Sequence, residues 1–206
     1  MAHWEGAAGF QAPSYFLAFD PSTKECILAI RGTKSLVDVL TDVVHTPVQM
    51  FDNDTFVHSG ISNAARFVVK RVLPLLENLF LPLGYSVTLT GHSLGAGTAT
   101  LVSSILTWEM NIKNKCYAFA PPPTMSKKAA EVSSSFVYSM VHNDDVVPVS
   151  PPLPTVRIFS GMHSFSWHTP AVAQRFNIIS LATNFKIWSK LNRCVNCMLS
   201  PSFHTC

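Results

Sequence analysis

The chain reads as an α/β domain with a mostly parallel central sheet and helices on both faces. Two observations carry that reading. Short runs rich in β-formers, such as "SVTLT" and "KCYAFAPP", alternate along the chain with stretches of helical period, the pattern of strands joined by helical crossovers. A length of 206 residues, with 48% hydrophobic and 13% charged side chains, suits one globular domain with a sizeable core and argues against disorder.

In chain order, "SYFLAFD" and "ECILAIRG" flank the Pro-Ser turn "PSTK" and predict a β-hairpin. "TKSLVDVLTDVV" predicts a helix that Ser35 caps, with Asp38 completing an approximate capping box. Residues 43–57 mix Val, Met and Phe with Pro, Asn and Asp without a period, so a loop or lid is expected there, with plain core packing of Met50, Phe51 and Phe56 as the alternative. "SNAARFVVKRVLPLLENLFLPLG" places Ala65, Val68, Val69, Val72, Leu76 and Leu79 at helical spacing, and Pro74 should bend that helix. "SVTLT" is too short and too β-rich for a helix, whereas "LGAGTATLVSSILTWEM" is the next helix. "KCYAFAPP" and "SFVYSMVHNDD" predict two buried strands separated by a short helix in "SKKAAEVSS". After Pro148 the chain is rich in turns and aromatics, and the tail "LNRCVNCMLSPSFHTC" follows no clear period.

Composition narrows the function classes. A net charge of +3, with scattered Lys and Arg and no basic run, does not argue for nucleic acid. No stretch of eighteen uncharged apolar residues is present, so no spanning helix is expected. The start "MAHWEGAAGFQAP" lacks the basic and apolar regions of a signal peptide. Five cysteines, Cys26, Cys116, Cys194, Cys197 and Cys206, are odd in number and unevenly placed, and free thiols in a reducing, cytoplasmic compartment are expected. Such an apolar chain could still work peripherally at a lipid surface.

Gly91-His92-Ser93-Leu94-Gly95 fits G-x-S-x-G, between a predicted strand and a predicted helix. That is the setting of a nucleophile elbow and of the α/β-hydrolase fold. A serine in such a turn needs φ > 0, which is tolerable only if the residues two positions either side lack a Cβ. Gly91 and Gly95 meet that need. The helix N-terminus beyond presents unpaired N–H groups to a developing oxyanion, that of Leu94 among them. The competing reading is a plain strand–turn–helix junction in which Ser93 caps the helix. His92 should point away from Ser93 and serve in packing.

The motif in "GHSLGAGTA" resembles the elbow of the class 3 (fungal-type) lipases, and especially of their diacylglycerol lipase branch. "CILAIRGTKSLVDVLTDV", "VHSGI", "CYAFAPPP" and "FVYSMVHNDDVVP" are similar to further blocks of that branch, in the same order, across about residues 9 to 150. The resemblance implies a single α/β-hydrolase domain over 1–206, with 151–206 poorly matched. It implies Ser93 as nucleophile, Thr33 of "RGT" with the Leu94 N–H as oxyanion hole, and Asp145 as the triad acid. It also implies a glycerolipid substrate, diacylglycerol-like, met at a membrane or lipid-droplet surface, with no metal or organic cofactor. His58 in "VHSG" is read as structural.

A triad histidine should follow the acid, and His163, His168 and His204 all do. Family spacing favours His204, with "FNIISLAT" as the last strand before it. The diacylglycerol lipases carry a longer stretch between acid and histidine than this chain does, so a C-terminally shortened, catalytically inactive lipid-binding or regulatory relative is the alternative. Cys194, Cys197, His204 and Cys206 offer a zinc-type ligand set, but their spacing does not match common knuckles. Phe159, Met162, Phe165 and Trp167 would serve either at a lipid interface or as buried aromatics.

Overall fold

The computed structural model describes residues 2–5, 12–32, 47–141, 167–168 and 174–175, and only backbone pairing for 2–5, 167–168 and 174–175. The strands are β1 (Ala2–Glu5), β2 (Tyr15–Asp20), β3 (Glu25–Ile30), β4 (Pro47–Gln49), β5 (Phe56–His58), β6 (Ser86–His92), β7 (Asn114–Phe119), β8 (Met125–Ser126), β9 (Val137–Val141), β10 (Trp167–His168) and β11 (Gln174–Arg175). The helices are α1 (Ser59–Leu75), α2 (Leu94–Trp108) and α3 (Lys127–Ser133).

Among the described residues, seven strands form the main sheet in the order β1-β2-β3-β6-β7-β9-β11. The predicted hairpin is β2–β3, antiparallel from Tyr15↔Ile30 to Asp20↔Glu25. Its turn is an Asx turn in which Ser22 donates to Asp20 Oδ1 from both N (2.9 Å) and Oγ (2.6 Å). From β3 onward every pairing is parallel: β3–β6, β6–β7, β7–β9 and β9–β11. Alternation along the strands turns Leu28, Leu89, Cys116 and Val137 to one face, and all four are buried there in one row. α2 lies over β6, β7 and β3, with α1 packed against it. Because α2 is covered on both sides, its described residues are apolar or small nearly all round. Asn114 ties the end of α2 to the start of β7: its Oδ1 accepts from Ser103 Oγ at 2.5 Å, and its Nδ2 donates to Thr107 Oγ1 at 2.9 Å.

α1 buries Ala65, Val68, Val69 and Val72 as the spacing predicts. After Pro74 the ladder changes: residues 76–80 form a π-helical turn, and Leu81 N–H donates to Leu76 O at 2.9 Å. The wider turn rotates the face by about one residue. Phe80 is therefore buried in the core cluster, whereas Leu79, expected inside, is 45% exposed. The start of α1 is capped by His58, whose Nδ1 accepts from Ile61 N–H at 3.4 Å, which bears out its structural reading.

Of the two readings of 43–57, core packing and not a lid holds for the described part, residues 47–57. β4 and β5 pair antiparallel, Pro47↔His58 to Gln49↔Phe56, in a second sheet ordered β10-β8-β5-β4. Strands of three residues are too short to show a period, which is why none is visible in the sequence. Met50 and Val57 are buried in the core, and the Phe51 ring packs edge-on to Trp108 at 4.2 Å. Residues 47–57 are thus part of the packed domain.

Candidate active site

β6 ends at His92 and α2 begins at Leu94, so one residue makes the whole turn. Ser93 makes it with φ 56° and ψ −127°, outside the favoured regions for an L-residue. The close packing that permits this is visible at both glycines. A Cβ on Gly91 would strike the carbonyl group of Gly95 and lie 2.8 Å from Ala96 N. A Cβ on Gly95 would strike the Ile30 carbonyl oxygen and lie 2.7 Å from Arg31 C and from Gly32 N. Gly32 completes the contact, since its own Cβ would stand 2.7 Å from His92 O. Sequence reasoning did not single out Gly32; the only signal was a glycine just past a strand end.

Ser93 N–H donates to Phe119 O at 2.9 Å, and Ser93 O accepts from Ala96 N–H (2.9 Å) and Gly97 N–H (3.1 Å). The first N–H groups of α2, from Leu94 and Gly95, have no acceptor inside the helix. The Ser93 side chain makes no capping hydrogen bond, which removes the reading of Ser93 as a mere helix cap. Its Oγ is buried and without a hydrogen-bond partner among the described residues. A buried unpaired hydroxyl costs on the order of 1–3 kcal/mol, an expense typical of a group kept ready for another partner.

The other predicted groups divide clearly. Leu94 is where it was expected, at the first position of α2. Thr33, Asp145, His163 and His204 lie outside the described residues, as do "FNIISLAT", the predicted helix over 33–44 and the cysteines Cys194, Cys197 and Cys206. Thr33 follows Gly32, which packs on the elbow. Asp145 comes four residues after the end of β9, which runs parallel to β6 through β7, so both strands end on the same edge of the sheet. His168 pairs with Met125 through the backbone, and Trp167 with Ser126. His92 corrects the packing expectation: it is exposed. Gly91 faces the helices, so the next residue must face the opposite side, at the open end of the strand.

Cys26 and Cys116 are free thiols in the core, each pushed up to about 12 by burial, and are chemically inert. No group of His, Cys, Asp and Glu among the described residues is arranged to hold a metal ion.

Residues 27–155 match the family described as Lipase (class 3). The chain belongs to the class 3 lipase family. Within it, mouse diacylglycerol lipase-beta is 34% identical over 144 residues, 65% of this chain and 21% of that protein. Human diacylglycerol lipase-alpha is 32% identical over 154 residues, 68% of this chain and 15% of that protein. The chain thus spans about a fifth or less of these two relatives. Among solved structures, the mono- and diacylglycerol lipase from Aspergillus oryzae superposes with a TM-score of 0.66 at 28% identity, over 72% of this chain and 56% of that one. The α/β-hydrolase fold of this class 3 lipase-family chain is thereby established.

Proposed function

We propose that this chain is a serine ester hydrolase acting on glycerolipids, with diacylglycerol-like esters as its substrates. The observation that carries the reading is Ser93 at φ 56° on a turn clasped by Gly91 and Gly95, its hydroxyl at the start of α2 without a hydrogen-bond partner among the described residues. Ser93 Oγ attacks the ester carbonyl, and a histidine takes its proton and returns it to the leaving alcohol. Asp145 orients that imidazole, His204 supplies it, and the oxyanion is held by Leu94 N–H together with Thr33. An acyl-enzyme on Ser93 is then hydrolysed by water. The likeness to the two diacylglycerol lipases supports the substrate class.

We place the reaction at a membrane or lipid-droplet surface, reached from the cytoplasm by peripheral attachment. No described helix is long and apolar enough to cross a membrane, and the substrate is itself insoluble.

A fluorophosphonate probe tests the nucleophile. Wild type should be labelled and Ser93→Ala should not. A folded wild type that takes no label would support the inactive, lipid-binding relative instead. Hydrolysis of diacylglycerol in mixed micelles, compared with triacylglycerol and a short soluble ester, tests the substrate; equal rates on all three would reduce the reading to a general esterase.

A further inference from the structure

The register of β6 and β7 sets His92 opposite Phe119. The next residue of each strand, Ser93 and Ala120, leaves the sheet with a left-handed backbone, at φ 56° and 48°. The elbow explains the first and not the second. Alanine enters this region only at a steric cost, and Pro121 behind it biases Ala120 further toward extended backbone. No Gly, Asn or Asp is present there to favour the turn. A residue persists in such a conformation when its surroundings over-determine it.

Those surroundings lead to the serine. The peptide plane between Phe119 and Ala120 is bonded on both sides: its carbonyl accepts from Ser93 N–H at 2.9 Å, and its N–H donates to Met140 O at 2.8 Å. Beyond the kink, residues 121–124 lie against the first turn of α2. A Cβ on Gly97 would be 2.7 Å from Thr124 Cγ2 and 3.3 Å from Pro122 Cγ. Thr124 O is itself held by His58 N–H at 2.9 Å. The kink therefore fixes the acceptor of Ser93 N–H and lays a wall against the turn that carries Leu94 N–H.

We propose that Ala120 is a positioning residue for Ser93: its left-handed turn holds the Phe119–Ala120 peptide and seats Pro122 and Thr124 on Gly97, setting Ser93 Oγ against the α2 N-terminus. This rests on the reading of Ser93 as nucleophile. The test measures fluorophosphonate labelling rate, and kcat and KM on a soluble ester, for the full chain and three variants. Ala120→Gly reaches the same backbone without a Cβ penalty and should keep kcat within about threefold of wild type. Ala120→Val, β-branched, should lose about thirtyfold in kcat and in labelling rate while KM moves less than about threefold, as misplacement of a reacting atom predicts. Gly97→Ala pushes the same segment from the other side and should show the same loss confined to kcat.

A folded Ala120→Val or Gly97→Ala with wild-type kcat overturns the proposal, as does a loss that merely follows the folded fraction. Failure of both to fold beside a normal Ala120→Gly overturns it too, since the segment is then a folding element alone. A folded wild type that takes no label removes the nucleophile and the proposal with it, a result distinct from all the others.

Discussion

The two ends of the parallel sheet both carry left-handed residues, on opposite terms. Where strands begin, Lys24, Gly84 and Asn111 stand at φ 50°, 78° and 54°, and all three are exposed. There the left-handed backbone serves only to turn the chain, with Gly and Asn the residues that do so most readily. Where strands end, Ser93 and Ala120 are 2% and 5% exposed, and neither is a residue that favours positive φ. The first set costs little and is spread over loops. The second is concentrated on two adjacent strands, with Gly91, Gly95 and Gly32 making the space for the elbow. A buried, clustered pair of outliers is the kind of strain a functional site holds, whereas an exposed one serves only a change of direction.

The strongest way to break this contrast is Gly95→Ala. The new Cβ meets backbone of the β3 end, which cannot swing aside, so a loss of about 3 kcal/mol or more is expected in denaturant unfolding, with loss of Ser93 labelling. A loss below about 1 kcal/mol would mean the elbow does not need its clearance. Gly32→Ala would bring its Cβ to 2.7 Å from His92 O, with Gly95 N and His92 C in ordinary contact at 3.6 and 3.7 Å, and should cost about 1–3 kcal/mol, with slower labelling.

Between the two ends the face of the strands that carries Cys26, Leu28, Leu89 and Cys116 is buried, and alkaline unfolding should show it. The Cys26 and Cys116 thiols, ordinarily near 9, are pushed up to about 12 by burial. Above pH 9 the unfolded chain gives up these protons while the folded chain keeps them, so the unfolded state binds fewer. Their contribution to stability is therefore full below pH 9 and falls as pH rises toward 12. Urea midpoints at pH 8 and pH 10 should differ less in the Cys26→Ala, Cys116→Ala double variant than in wild type; an unchanged difference would show the thiols are not shielded. The smallest effect belongs to the exposed end. Lys24→Gly should stabilise by less than about 1 kcal/mol and leave labelling untouched. A fall in labelling there would erase the distinction between the ends.

Much of the central fold is legible in the residues. The hairpin over β2–β3, the strand β6, the helix after Ser93 and the buried positions Val68 and Val72 each follow from a local pattern. The misreadings share a cause. Leu79 leaves the core because a π-helical turn breaks the period on which the prediction depended. Residues 47–57 have no period of their own, because β4 and β5 are short and β5, on which β4 pairs, is held by β8 from far along the chain. His92 is exposed because the strand end is open on that side, a fact of neighbours and not of spacing.

The amino-acid sequence by itself determined the elbow. Two glycines around a serine, between β-formers and a helix, are a local steric solution, and local sterics are written in adjacent residues. Only the tertiary structure decided that Ala120 would stand beside the serine in register and share its positive φ. That conformation depends on hydrogen bonds to Ser93 and Met140, twenty or more residues away on either side. An alanine carries no sign of its backbone angle; the strands beside it impose one.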